Sequence, residues 1–215
     1  MRILCIGDSN TWGYNPETGW RIANRWTQVL GTMCPEHEII EEGLNGRTVD
    51  SVDPIFPERR ILSNLRVVLM THKPVDMVIL MLGTNEFKNI FPATAEYVGA
   101  GIEECIRIIL DKNMWDRFTV PRILVVSPVT IRSELKINGD VFGSFDEKSV
   151  DESEKLAGVL REICEKYGVE FMDAAVYAEA SLIDNIHMDE ENHVKLGKAL
   201  AIRFISVFNS NCKSR

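Results

Sequence analysis

Five residues scattered along the chain, Ser9, Gly46, Asn85, Asp184 and His187, have the types needed to cleave an acyl bond. Ester hydrolysis needs a nucleophile, a base to take its proton, and donors aimed at the oxyanion of the tetrahedral intermediate. Ser9 ends the run Arg2-Ile3-Leu4-Cys5-Ile6-Gly7-Asp8-Ser9, an apolar strand candidate closed by three turn-favouring residues. Taken alone, Gly7-Asp8-Ser9 reads first as plain turn chemistry, and Asn85, after Gly83-Thr84, reads as a turn residue. The backbone N–H of Ser9, the backbone N–H of Gly46 and the side-chain amide of Asn85 can be the oxyanion donors. Glycine suits the second role because a side chain there would block close approach to a ligand. The base follows by elimination among four histidines. His37 and His72 precede strands and so lie at the wrong edge of the sheet, while His193 opens the last helix as a capping or surface residue. His187 follows Asp184 by three residues, a spacing that lets the carboxylate orient the imidazole and stabilise its charged form.

These residues can meet only if strands and helices bring them to one rim. Strands are expected at 2–6, 38–42, 75–82, 122–127 and 170–172. Val75 to Leu82 is apolar throughout, as a strand buried on both faces should be. Helices are expected from Trp26 to Met33 with Asn24 as N-cap, from about Glu58 to Thr71, from Thr94 to about Lys112, from about Lys148 to Tyr167, and from about His193 to Phe208. Residues 130–145 form a polar and aromatic loop longer than a plain connection needs. The alternation predicts one α/β domain over residues 1–215, with a five-stranded parallel sheet in the order 2-1-3-4-5 and helices on both faces. That order sets the ends of strands 1 and 3 beside each other at the switch point, where ligands bind. Ser9, Gly46 and Asn85 then all lie just past the carboxyl ends of strands 1, 2 and 3.

Composition narrows the partners. Of the 215 residues 45% are hydrophobic and 26% charged, with a formal charge of −8. Such a surface offers no basic stripe for nucleic acid. The longest basic cluster, Arg59-Arg60 with Arg66 beyond it, reads as a solvated helix face. No apolar segment approaches the roughly 20 residues of a membrane span, and the start of the chain lacks the pattern of a signal peptide. The five cysteines form no C-x-x-C pair. Cys5, Cys105 and Cys164 fall in apolar patterns, as reduced core thiols would, and a cytoplasmic compartment is expected. His187, His193 and the acidic residues around them could be taken for a metal cluster, but Asp189-Glu190-Glu191 before a helix is an ordinary acidic first turn. No metal or organic cofactor is expected. A flavin- or nucleotide-binding module on the same fold is the rival; it lacks Gly-x-Gly-x-x-Gly and Gly-x-x-x-x-Gly-Lys, and gives Asn85, Asp184 and His187 no work.

In their order, Gly7-Asp8-Ser9, Gly46, Gly83-Thr84-Asn85 and Asp184-x-x-His187 resemble the four sequence blocks of the SGNH (GDSL-type) hydrolases. The likeness is greatest to the bacterial arylesterase and acyltransferase group, through Gly7 to Gly13, Glu41 to Leu44 with Arg47-Thr48, Met81 to Asn85, and Asp184 to Ala201. It implies a flavodoxin-like three-layer α/β/α sheet, a Ser9–His187–Asp184 triad, and an oxyanion hole from Ser9, Gly46 and Asn85. Asn10 stands where the family has leucine and Glu86 where aspartate is common; both bear on packing near the serine and so on substrate preference. The expected activity is hydrolysis of short-chain aryl or alkyl esters through an acyl-enzyme, extending to acyl transfer to alcohols, with a carbohydrate O-acetyl esterase as the alternative. Trp12, Asn10 and Phe87 are expected to bind substrate, and Tyr14, Trp20, Phe91, Phe142 and Phe145 are further candidates for the pocket. The partner is a small-molecule ester, with no nucleic acid and no membrane. The long loop, through Phe142 and Phe145, allows a homo-oligomer that covers the site.

Overall fold

The computed structural model describes residues 1–208. Five strands, β1 (Arg2–Gly7), β2 (Glu38–Gly43), β3 (Met77–Met81), β4 (Arg122–Ser127) and β5 (Glu170–Asp173), form one parallel sheet in the order β2-β1-β3-β4-β5. The order is the expected one, and the chain reverses its direction of winding between β1 and β3. The pleat sends alternate residues to opposite faces. Leu4, Ile6, Val78 and Leu80 face one core, and Ile3, Cys5, Met77 and Ile79 face the other. Because both faces are dry, β1 and β3 read as unbroken apolar runs rather than alternating ones.

Three helices cover the first face: α3 (Ile61–His72), α4 (Ala95–Leu110) and α6 (Glu147–Tyr167). Two cover the second: α2 (Trp26–Met33) and α7 (Glu190–Phe208). The caps explain several boundaries. Thr94 accepts the Tyr97 amide at the head of α4, and Asp146 with Ser149 forms a reciprocal capping box at the head of α6. Asn24 does not cap α2: Arg25 holds that place without a side-chain cap bond, and Asn24 Nδ2 instead donates to Glu190 Oε1 at 2.7 Å. A 3₁₀ turn, Pro57–Arg59, takes up the start of the helix expected from Glu58. Two short helices sit in regions expected as loop, α1 (Ser9–Trp12) and α5 (Leu135–Asn138).

Strand β2 carries acids that weaken its signature. The Glu41 carboxylate is gripped by the Arg25 guanidinium and by the hydroxyl of Thr27. Those partners overcome burial and hold Glu41 below the ordinary carboxylate range. Cys5, Cys34, Cys105 and Cys164 are buried free thiols, and Cys212 lies outside the described residues. No helix among the described residues is long and apolar enough to cross a membrane.

Candidate active site

The carboxyl end of β1 delivers the serine through a turn that only glycine permits. A Cβ built on Gly7 would meet Thr11 Oγ1 at 1.9 Å and the Met81 carbonyl at 2.8 Å. Without that Cβ the chain folds straight from β1 into α1 against the end of β3. Asp8 caps α1 by accepting the Asn10 amide at 2.9 Å, which fixes Ser9 as the first helical residue.

The candidate base, His187, arrives from the loop before α7. One Asp184 oxygen, Oδ1, accepts the amides of Ile186 and His187 at 3.0 and 2.9 Å, so the carboxylate folds its own loop into a turn. The other, Oδ2, lies 2.6 Å from His187 Nδ1, and His187 Nε2 lies 2.8 Å from Ser9 Oγ. With Nδ1–H donating to the carboxylate, Nε2 is left as the acceptor for the serine hydroxyl. Burial works to raise the Asp184 pKa, but its bonds to His187 and Ile186 outweigh that and hold it below the ordinary range. Asn10 anchors this loop from the serine side. Its Oδ1 accepts the Met188 amide at 3.0 Å and its Nδ2 donates to the Ile186 carbonyl at 3.4 Å, one bond on each side of His187.

The opposite wall carries Gly46 and Asn85. Gly46 has φ +78°, in the left-handed region that favours glycine, and a Cβ there would press on the Arg59 guanidinium at 2.9 Å. Asn85 lies on the 3₁₀ turn Thr84–Phe87, and its buried Nδ2 has no hydrogen-bond partner among the described residues. The segments carrying these two candidate donors are tied together by Glu86. Its Oε1 accepts the amides of Val49 and Asp50, in the segment that follows Gly46. Burial pushes the Glu86 carboxyl up to about 8 despite those bonds.

Ser9, Gly46, Asn85 and His187 line one cleft of about 270 Å³. Its apolar wall is aromatic: the Tyr14 ring lies 4.5 Å from the His187 ring and Phe142 lies 6.0 Å from it, edge-on. The long 130–145 loop is folded to bring Phe142 and Phe145 there. Asp140 accepts the amides of Phe142, Ser144 and Phe145 at 3.0, 2.6 and 3.0 Å. Phe145 is buried, whereas Phe142 is 49% exposed.

Three residues expected to bind substrate stand elsewhere. Trp12 lies under the Arg21 guanidinium outside the cleft. Phe87 is packed in the core of the first face. Asn10 holds the histidine loop from behind the cleft wall. Trp20 is 79% exposed, and Phe91 lines a separate depression beside Lys148. His193 is fully buried rather than superficial; its Nδ1 lies 3.4 Å from the Trp26 amide, and burial lowers its pKa to about 3. Arg59 and Arg60 are not a solvated helix face, for Arg59 lines the cleft and Arg60 pairs with Asp50. Lys88 also lines the cleft and carries no sequence signal beyond its place three residues after Asn85. Among the described residues, no group of three or more His, Cys, Asp or Glu side chains is placed to hold a metal.

A parallel five-stranded sheet with serine, histidine and aspartate aligned at its switch point is the architecture of SGNH hydrolases. Residues 5–194 match the GDSL-like Lipase/Acylhydrolase family, and the chain belongs to it. The native aryl esterase of M. smegmatis superposes with a TM-score of 0.89 at 35% identity, covering 96% of this chain and 99% of that one. A carbohydrate acetylesterase from Sinorhizobium meliloti also superposes at 0.89, with 30% identity over 96% of this chain and 99% of its own. No curated protein sequence matches the chain. The fold, the family and the esterase class agree with the reading of the sequence.

Proposed function

We propose that the chain hydrolyses short-chain esters through an acyl-enzyme on Ser9, and that residues 1–215 act as one hydrolase domain. The observation that carries this is the line Ser9 Oγ–His187–Asp184, with gaps of 2.8 and 2.6 Å, facing across one cleft an Asn85 amide without a hydrogen-bond partner among the described residues. Ser9 Oγ attacks the ester carbonyl while His187 Nε2 takes its proton; Asp184 keeps the ring in register and stabilises the imidazolium. The amides of Ser9 and Gly46 and the Asn85 side chain receive the oxyanion. Collapse expels the alcohol with the proton from His187. Water, activated by the same imidazole, then releases the acid.

The cleft volume of about 270 Å³ suits an acetyl to butyryl donor. An acetyl group is also the acyl part named for the carbohydrate acetylesterase neighbour, so the alcohol side is what a substrate panel must resolve. Tyr14 and Phe142 against His187 limit water at the acyl-enzyme and favour transfer to an added alcohol. Phe142 beside the cleft supports self-association over the site, and the buried free thiols support a reducing, cytoplasmic setting.

The test is turnover of aryl acetates by Ser9→Ala and His187→Ala, each checked for folding. Both should lose nearly all activity. A folded Ser9→Ala protein that keeps more than a few per cent of turnover rules out the assignment. Product analysis with an activated acetate and a primary alcohol separates hydrolysis from transfer, and free acid alone removes the transfer half.

A further inference from the structure

The charge of the cleft runs against the charge of the chain. The chain carries a formal −8, yet among the described residues the cleft is lined by two cations, Arg59 and Lys88, and by no carboxylate. Each cation stands beside one oxyanion donor. The Arg59 guanidinium occupies the space a Gly46 Cβ would need. Lys88 closes the 3₁₀ turn that carries Asn85, its amide bonding to the Asn85 carbonyl, and in such a turn residues three apart fall on the same side.

The two cations differ in what already neutralises them. Arg59 pairs with Asp53 at 3.1 Å and rests on the Phe56 ring. The Lys88 ammonium forms no hydrogen bond and no direct ion pair with any described residue. The other acids that act on it, Asp8 and Glu86, are buried behind the wall, where burial pushes their carboxyls up to about 6 and about 8. Lys88 is itself partly buried, and that burial disfavours its charged form. A partly dehydrated ammonium with no direct ion-pair partner among the described residues, in the same cleft as the nucleophile, suits the anionic group of a ligand.

Building on the esterase reading, we propose that the substrate is an ester bearing a carboxylate a few bonds from the scissile carbonyl, held by Lys88 with Arg59 beside it. The apolar wall of Tyr14, Phe142 and Phe145 packs against the rest of the molecule. Lys88 is then the residue that sets specificity, and the carboxylate aligns the ester for attack by Ser9.

The test compares isosteric pairs that differ only in charge: the three acetoxybenzoate isomers against the matching acetoxybenzamides, and 4-nitrophenyl hemisuccinate against its succinamic ester. Each kcat/KM is divided by the hydroxide-catalysed rate of the same ester. The wild-type anionic-to-neutral ratio should reach about ten- to a hundred-fold in at least one pair, the size of one charged hydrogen bond. In Lys88→Met that ratio should fall to near one, and Lys88→Arg should restore part of it. A wild-type ratio near one in every pair overturns the proposal without recourse to any variant. So does a ratio that Lys88→Met leaves unchanged, or an equal loss on both members of each pair. Hydrolysis without charge preference refutes this inference alone, whereas no hydrolysis of any member refutes the esterase reading and this inference with it.

Discussion

Replacing Asn85 with alanine should cost activity far more than stability. Its Nδ2 makes no hydrogen bond to any described residue, so no contact within the fold depends on that amide. Removing it loses only the packing of one small side chain beside an open cleft, so the folded state should stay within about 1 kcal/mol of wild type. Catalysis should not be spared. The amide finds its acceptor only when the carbonyl oxygen becomes an oxyanion, and loss of one such donor costs about 2.7–4 kcal/mol, or 10²–10³ in kcat. Steady-state kinetics on an aryl acetate, with urea unfolding of the same samples, measures both. A loss confined to KM makes Asn85 a ground-state binding group. A large loss of stability with kcat intact refutes the reasoning altogether.

Two buried titratable groups give pH signatures of opposite sign. Burial lowers His193 to about 3 from 6.5, so the unfolded chain takes up a proton first as pH falls. Its share of stability is full above about 6.5 and is lost as pH drops towards 3. His193→Gln should show a shallower acid limb in urea unfolding, and parallel curves would refute the neutral buried imidazole. Glu86 is raised to about 8 from 4.5, so the folded state keeps a proton that the unfolded chain releases, and stability falls as pH rises through that window. Glu86→Gln, neutral throughout, should flatten the decline between about pH 5 and 8; an unchanged slope contradicts the assignment. Asp184→Asn should leave Ser9 and His187 in place but favour the wrong imidazole tautomer, cutting kcat by about 10⁴. Retention of a tenth or more of wild-type kcat would put the role of Asp184 in doubt.

Legibility in the sequence followed locality. Strands β1, β3 and β4 are apolar runs because both faces of the sheet are covered, and that pattern needs no partner to be read. Strand β2 is harder to read because Glu41 is tolerated through partners outside the strand, Arg25 and Thr27, sixteen and fourteen residues away. The candidate site was readable where a residue type coincides with a strand end or a short local motif, as at Ser9, Asn85 and Asp184-x-x-His187. It was unreadable where the fold decides direction. Trp12 and Phe87 sit next to the motifs yet turn away from the cleft, while Arg59 reaches it from a turn in a charged stretch that looked like solvated surface. His193 shows the same limit, since only the packing of α7 on α2 makes it a buried neutral side chain.

The central claim is that Ser9 is the nucleophile activated by His187, and a covalent trap tests it most directly. Protein treated with an activated alkyl phosphonate and read by intact and peptide mass spectrometry should gain one phosphonyl group per chain. The label should lie on Ser9, with activity falling in step with labelling, and Ser9→Ala should take up none. A label on another residue that abolishes activity, or full activity in protein fully labelled at Ser9, would contradict the account.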